Sequence, residues 1–447
     1  MSRDWIASFE ALKSVYSDGA YSNMALNEAI PHHPGCRDSF VRSMVKGTIR
    51  QTVTLDYIID KLADNGLKGI RLRTLIILRM GLYALREMDS VPDHAAVNES
   101  VALARRTARG TDRFINAVLR SYIRSRDLYE VTDGNDRHEP DFIRNIEDDC
   151  DRLSVKYSFP SDITRLICSQ YGDLAEKILD GLNNPPPVIL RVNTLKISRD
   201  DLIKLLEDEG KKASGLPDSE LAVAAEGSGI ISSDLFRKGY YSVQSLSSIM
   251  AVEALAPSAG SNVLDMCAAP GGKSTMMAEI MGNSGSITAC DIHEHRLKLI
   301  EAYAARLGTD IIETRLKDAA CYNSEMEGLY DFVLADVPCS GLGVMNTKPE
   351  IRLRADMESI EKLPELQLSI LRNALRYAKP GGRICYSTCT LNKRENEEVI
   401  SALAAEDRTF GRIVEMNTIL PYNNMIGFYY CIIEKVCAET YTVKNTL

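Results

Sequence analysis

Through the first 125 residues apolar side chains recur at three- and four-residue spacing and never alternate over any length, which is the spacing of helices that bury one face. ASFEALKSVYSD closes at Gly19. LDYIIDKLAD follows, and then RTLIILRMGLYALREM, Arg73 to Met88, which is apolar on nearly every side and is expected at the centre of a bundle. Pro92 stands at the start of PDHAAVNESVALARR, a position that suits a helix N-terminus, and RFINAVLRSYIRSR ends the run at Arg126. The pattern predicts an all-α bundle of roughly five to seven helices over residues 1–126. Residues 127–152 are polar and acidic and read as a solvated linker with little core of its own. Over residues 153–240 the pattern changes to two helical stretches, a strand in PPPVILRVNTLK, Pro185 to Lys196, and a helix capped by Ser198 and Gly210. This is expected to be a small α+β module.

Residues 241–447 repeat strand and helix. VLDMC, SITACDI, DIIETRL, YDFVLAD and GRICYST are apolar runs of strand length. Helical stretches separate them, the longest being MESIEKLPELQLSILRNALRYAK, which is expected to break or kink at Pro364. GFYYCIIEKV, Gly427 to Val436, is expected to end the sheet. The alternation predicts a doubly wound, mostly parallel, Rossmann-like sheet.

Composition narrows the classes. No apolar run reaches membrane-spanning length, and MSRDWIASFE lacks the apolar core of a secretion signal, so a cytoplasmic protein is expected. Eleven cysteines without disulfide-type spacing fit reduced thiols, and no cysteine–histidine cluster suggests a metal. The net charge of −9 is uneven. Residues 1–125 hold 18 Lys and Arg against 13 Asp and Glu, an excess of +5, whereas residues 126–152 hold 4 against 10. A basic N-terminal segment is therefore compatible with RNA binding despite the acidic whole. Arg105, Arg106, Arg109, Arg113, Arg120 and Arg124 are its candidate RNA contacts, a solvated charged face being the alternative.

Candidate chemistry gathers at the expected carboxyl ends of the strands, where open α/β sheets bind ligands. DMCAAPGGKST, Asp265 to Thr275, is a strand end, a small-residue loop and a helix start, which lets a backbone approach a nucleotide-like ligand. It is no phosphate-binding P-loop, because Cys267 occupies the position of the first glycine, and the dinucleotide pattern of three glycines is absent. Asp291, Asp318 and Asp336 follow at later strand ends, the first placed to accept ribose hydroxyls and the second to meet an adenine amino group. Together they suggest a nucleoside-bearing cofactor. DVPCSGLG and YSTCT put thiols, Cys339 and Cys389, after two strands that should be neighbours. A thiolate suits addition to an electron-poor ring carbon, although cysteine is also a common buried residue. Physical reasoning on these residues alone leaves open which thiol attacks.

Taken in order, DMCAAPGGK, ACDI, DVPCSGLG and YSTCT resemble the RNA 5-methylcytosine methyltransferases. VPDHAAVNESVALARR with FINAVLRSY is similar to the NusB-type helical RNA-binding domain, and RVNTLK to the segment that precedes the catalytic domain in the same family. This architecture resembles the bacterial RsmB/Sun type, which acts on 16S ribosomal RNA. The resemblance implies a multidomain chain with a catalytic domain over residues 241–447. It implies S-adenosylmethionine held by Cys267, Ala268, Ala269, Pro270, Gly271, Gly272 and Lys273, with Asp291 and Asp318 on its adenosine and Asp336 between base and cofactor. It makes Cys389 the nucleophile and Cys339 the residue that assists product release. A monomer acting on 16S ribosomal RNA, without membrane or metal, is the expectation. The same chemistry on transfer RNA and a non-catalytic antitermination-type binder are the alternatives. Two stretches depart from the family pattern: Ile426-Gly427-Phe428 before the last strand, and Met345-Asn346 in a loop that carries Lys348, Arg352 and Arg354.

Overall fold

The computed structural model describes residues 2–129, 140–406 and 411–436, and these form two compact units. The first comprises residues 1–183 together with Thr347–Ala355, the second residues 184–346 and 356–447.

Seven helices open the first unit: α1 (Arg3–Asp18), α2 (Ser22–His32), α3 (Asp38–Arg50), α4 (Thr52–Leu62), α5 (Leu72–Glu87), α6 (Asp93–Thr107) and α7 (Asp112–Arg124). Ser2 caps α1, its Oγ accepting from the Asp4 N–H at 3.2 Å, and Gly19 closes it in the left-handed region at φ +65°. Every residue of α5 from Ile76 to Leu85 is buried, the central placement that its all-round apolar sequence predicts. Pro92 is the N-cap of α6.

The acidic segment does not run free at its edges. Tyr129, Phe142 and Ile143 join the bundle core, with the Phe142 ring 5.3 Å from Tyr129 and 5.8 Å from Tyr57. Residues 130–139 lie outside the described residues. Four more helices complete this unit: α8 (Asp141–Arg144), α9 (Asp149–Tyr157), α10 (Ser161–Tyr171) and α11 (Ala175–Gly181).

The chain returns to the first unit at Thr347–Ala355. There Glu350 is buried and accepts from the Ser22 N–H at 3.2 Å and the Ser22 hydroxyl at 2.8 Å. Arg352 is also buried, its guanidinium 4.0 Å from the Phe159 ring centroid. It donates to the carbonyls of Arg50 (2.7 Å) and Ser158 (3.0 Å) and to Asn183 Oδ1 (3.2 Å). Burial without a carboxylate partner pulls this guanidinium down to about 9. Of the three cations in this loop, Lys348 alone is exposed.

The second unit begins with a four-stranded antiparallel sheet of order β2-β3-β1-β4, built from β1 (Val188–Val192), β2 (Lys212–Leu216), β3 (Ser219–Glu226) and β4 (Tyr241–Val243). α12 (Arg199–Asp208) packs Leu202 and Leu206 against Leu190, Val192 and Val223. Ser198 caps α12 as expected, accepting from the Asp201 N–H. α13 (Asp234–Arg237) and α14 (Leu246–Leu255) lead into the larger sheet.

That sheet has seven strands in the order β10-β11-β9-β8-β5-β6-β7. Five run parallel: β5 (Asn262–Asp265), β6 (Ser286–Asp291), β7 (Ile312–Leu316), β8 (Tyr330–Asp336) and β9 (Ala378–Thr388). β10 (Arg412–Ile419) and β11 (Phe428–Glu434) extend it antiparallel. α15 (Gly272–Ile280), α16 (Glu294–Leu307), α17 (Met357–Tyr377) and α18 (Glu397–Glu406) complete the unit.

The structure corrects three sequence expectations. α17 runs through Pro364 without a break, because Ile360, Gln367, Ile370, Leu371 and Ala374 bury one continuous face on both sides of it. The single N–H that Pro364 removes from the helix interior is offset by that packing. β9 starts at Ala378 and takes in the KPGG segment expected to precede it. β11 is the last strand in the chain, as expected, but the sheet holds an unexpected strand, β10, an edge strand with five exposed residues in succession and no clear alternation that lies outside it.

Candidate active site

β5, β6, β7 and β8 end beside one another at one edge of the sheet, and each carboxyl end carries an aspartate. Asp265 closes β5, Asp291 closes β6, Asp336 closes β8, and Asp318 stands two residues beyond β7. Between β5 and α15 lies the loop Met266–Gly271. Gly271 takes φ +107°, and a Cβ there would stand 3.1 Å from the Ile300 Cα, so a side chain would be strained and crowded at this turn. Ala268, Ala269 and Pro270 make the rest of the loop small. The Cys267 thiol is held well above its ordinary range by burial, with the charges of Asp265 and Asp336 adding to it, which makes it an inert wall rather than a nucleophile.

Asp265 is buried, and its Oδ2 accepts from the Ser274 hydroxyl at 2.6 Å. Its Oδ1 is buried with no partner. Burial pushes this carboxyl up to about 7, with Ser274 opposing and the Asp336 charge adding. Asp291 is buried too; its Oδ1 accepts from the His293 N–H at 3.0 Å, and Oδ2 lies 3.2 Å from Arg296 Nη1. Arg296 also donates to the Ala269 carbonyl at 3.1 Å, so one side chain ties the end of β6 to the small-residue loop. Asp318 Oδ1 accepts from the Ala320 N–H at 2.9 Å, an Asx turn within its own loop.

The first turn of α15 meets the end of β8. Lys273 Nζ lies 2.6 Å from Asp336 Oδ2, and Asp336 Oδ1 accepts from the Ser387 hydroxyl at 2.7 Å. Burial alone would pull the Lys273 ammonium down, but Asp336 outweighs it and the net shift is upward, with a smaller contribution from Cys389. The Lys273 ammonium also stands 5.6 Å from the Phe428 ring centroid.

β8 and β9 are neighbours, and the two thiols that follow them meet: Cys339 Sγ lies 3.3 Å from Cys389 Sγ. The Cys389 N–H also donates to Cys339 Sγ at 3.3 Å. The hydrogen bond between the two thiols, with burial and the charge of Cys389, holds the Cys339 thiol well above its ordinary range. Gly343, in the turn after Cys339, donates its N–H to the Cys389 carbonyl at 3.0 Å; a Cβ there would meet the Gly427 carbonyl at 2.1 Å. Cys290, Cys385 and Cys431 are buried in strands, as their apolar settings predict.

Four residues of this site are not evident from the motifs. Arg296 is one. Arg191 of β1 is fully buried and reaches the start of α15, donating to the Gly272 carbonyl, Gln244 and Thr275 and to both oxygens of Glu279. Glu395 and Gln367 brace the turn after Cys339. Only the position of Arg191 in RVNTLK gave any sequence signal.

In the first unit Arg105, Arg106, Arg109, Arg113, Arg120 and Arg124 are all exposed on α6, α7 and the turn between them. Arg105 lies 3.4 Å from Asp112, and Arg120 donates to Asn116 at 3.0 Å. Arg109 also lines a cavity of about 570 Å³ with Lys13, Arg71 and Arg73, and no acidic residue lines it. Among the described residues no group of three metal-ligating side chains occurs and no helix is long and apolar enough to cross a membrane.

The sheet order, the glycine loop after its first parallel strand and the antiparallel extension beyond β9 define a methyltransferase fold. Family comparison agrees: residues 252–430 match the 16S rRNA methyltransferase RsmB/F family, residues 5–124 the NusB family and residues 159–229 the ferredoxin-like domain of RsmF/B-like methyltransferases. The probable ribosomal RNA small subunit methyltransferase B of Bacillus subtilis (strain 168) is 35% identical over 92% of this chain and 90% of its own. Ribosomal RNA small subunit methyltransferase B of Proteus mirabilis (strain HI4320) is 31% identical over 95% of this chain and 97% of its own. The crystal structure of PH0851 aligns with a TM-score of 0.80 at 25% identity, covering 97% of this chain and 99% of that one. A methyltransferase homologue from Pyrococcus horikoshii aligns over 64% of this chain and 98% of its own, with a TM-score of 0.56 at 28% identity. The chain belongs to the RsmB/F family of ribosomal RNA small subunit methyltransferases, with a NusB-type domain at its N-terminus.

Proposed function

We propose that this protein methylates C5 of a cytosine in 16S ribosomal RNA, using S-adenosylmethionine, through a covalent bond between Cys389 and C6 of the base. The observation that carries this reading is the pair of thiols 3.3 Å apart at the ends of adjacent strands, beside the Lys273–Asp336 ion pair.

The residues present fit the cofactor. The loop from Cys267 to Lys273 puts small residues and glycines at the strand ends, Asp265 has a buried oxygen without a partner, and Asp291 and Asp318 follow at the next two strand ends. When bound, S-adenosylmethionine supplies a methyl group on a positively charged sulfur. The backbone of Ala268, Ala269, Pro270, Gly271 and Gly272 would cradle it, with Asp291 on the ribose and Asp318 near the adenine.

Cytosine C5 is a poor nucleophile until a group adds at C6. The Cys389 thiolate forms the S–C6 bond, and the electron pair of the C5=C6 bond becomes available at C5. Lys273 favours the thiolate by its charge. Asp336, paired with Lys273, is placed to face N3 of the base, where the adduct takes up a proton. After C5 gains its methyl group, its proton passes to solvent water, the C5–H electron pair re-forms the C5=C6 bond, and the S–C6 bond breaks with Cys389 leaving as thiolate. Cys339, within hydrogen-bond distance of Cys389 and with its thiol pKa raised, is placed to stabilise that leaving thiolate, which supports its part in product release. A base in the middle of a helix cannot reach such a site, so the target is a nucleotide that can leave its stack. The exposed arginines of α6 and α7, with the Lys13, Arg71, Arg73 and Arg109 cavity, would hold RNA phosphates.

The test is incubation of the purified protein with methyl-labelled S-adenosylmethionine and either 16S ribosomal RNA or transfer RNA, followed by nucleoside analysis. Label in 5-methylcytidine from 16S ribosomal RNA is expected. Label in another nucleoside, or in transfer RNA alone, contradicts the proposal.

A further inference from the structure

We infer that Glu395 is a positioning residue that sets the two active-site thiols against one another. Its side chain is fully buried and lies between the turns that carry them. Oε2 accepts from the Ser340 N–H at 2.8 Å, and Oε1 from the Ser340 hydroxyl at 2.6 Å; Ser340 directly follows Cys339. On the other side Oε1 accepts from the Asn392 amide at 3.1 Å and from the Thr390 hydroxyl at 3.4 Å, and Thr390 directly follows Cys389. The Ser340 and Thr390 hydroxyls also meet each other at 2.7 Å. Gln367 of α17 completes the cluster, donating from one amide nitrogen to Glu395 Oε2 at 3.0 Å and to the Pro338 carbonyl at 2.9 Å. The Glu395 carbonyl accepts from the Tyr386 hydroxyl of β9 at 2.6 Å.

A buried carboxylate surrounded by this many donors is held in one place, because each hydrogen bond would be lost if it moved. Its donors are a backbone amide, two hydroxyls and two side-chain amides, all neutral, so no cation on it cancels its charge. Two consequences follow. The spacing of Cys339 and Cys389 depends on Glu395, since it grips the residue after each. The carboxylate also adds to the forces that keep the Cys339 proton on sulfur, after the hydrogen bond to Cys389 and burial. Both act through the thiols, and the inference rests on the proposal that Cys389 attacks and Cys339 assists its departure.

Glu395→Gln keeps the shape and removes the charge, and Ser340→Ala removes one arm of the bridge. Two readouts are taken on full-length protein: steady-state methyl transfer to 16S ribosomal RNA, and the pH midpoint of Cys339 alkylation by iodoacetamide without RNA. For Glu395→Gln the expected result is a fall in kcat of about 10²-fold, the scale for misplacing a reacting group by an ångström, with KM for RNA unchanged. The Cys339 midpoint should fall as the neighbouring charge is removed. Ser340→Ala should lower kcat in the same direction by a smaller factor. A folded Glu395→Gln protein with wild-type kcat, with a changed KM alone, or with an unmoved midpoint overturns the inference. If Glu395→Gln fails to fold, a wild-type kcat in Ser340→Ala overturns it. Absence of methyl transfer by the wild-type protein would instead remove the functional reading, and the alkylation result would still decide whether Glu395 governs the thiol.

Discussion

The guanidinium of Arg191 donates to both carboxylate oxygens of Glu279, at 3.0 and 2.8 Å, with both side chains buried. Burial raises Glu279 above the ordinary carboxylate range even though Arg191 opposes it. The pair joins β1 of the four-stranded sheet to α15, and the same guanidinium holds the Gly272 carbonyl at the end of the small-residue loop. Removing one member leaves a buried charge unpaired, so Arg191→Met should cost about 3–5 kcal/mol in unfolding free energy. Arg191→Met with Glu279→Leu should recover most of that. Denaturant unfolding of the two variants checks this, and an Arg191→Met protein of wild-type stability contradicts it.

Asp265 carries a pH dependence of definite sign. Its carboxyl is at about 7 in the folded chain against an ordinary value of 3.8, so the folded state binds this proton more tightly than the unfolded state. The stability it contributes is complete below the unfolded value and is lost as pH rises through the folded one. Over that window the wild type should lose up to about 1.4 kcal/mol per pH unit through this group. Asp265→Asn removes the dependence, so unfolding free energy plotted from pH 5 to 7.5 should fall less steeply in the variant. Parallel curves contradict the assignment.

Asp291 makes structural contacts and is the residue proposed to meet the ribose. His293 and Arg296 use some of its capacity, which leaves the rest for a ligand. Asp291→Ala should weaken S-adenosylmethionine binding by about 1–3 kcal/mol. Titration calorimetry with an unchanged affinity would take Asp291 out of the site.

The exposed arginines are tested by salt. Replacing Arg106, Arg109 and Arg113 together with glutamine should lower RNA affinity and reduce the slope of log affinity against log salt by about 2–3. A folded variant with an unaltered slope means that these residues form a solvated face.

The helical bundle and the parallel sheet are legible in the sequence because each rests on a periodic burial that the residues record. α5 is apolar all round and central; YDFVLAD is an apolar run and a central strand. β2 and β10 are not legible, because both are edge strands with mostly exposed side chains, and a strand held by backbone hydrogen bonds leaves little trace in hydropathy. Pro364 misleads for the converse reason: local preference says break, and a buried face extending past it on both sides prevails. The strand-end aspartates and both thiols lie where the motifs put them. Lys273 as a neighbour of Asp336, Glu395 under both cysteine turns and Arg191 behind the loop are contacts over 63, 55 and 81 residues of sequence, which no local pattern encodes.

Covalent trapping distinguishes a nucleophilic Cys389 assisted by Cys339 from the reverse assignment. Wild-type, Cys339→Ala and Cys389→Ala proteins are incubated with 16S ribosomal RNA and S-adenosylmethionine and run on denaturing gels. An RNA-linked species should accumulate with Cys339→Ala, because the adduct forms and the leaving thiolate has lost its neighbouring thiol, and no such species should form with Cys389→Ala. Accumulation with Cys389→Ala instead would reverse the roles, and methyl transfer that persists in both variants without any adduct would contradict the covalent mechanism.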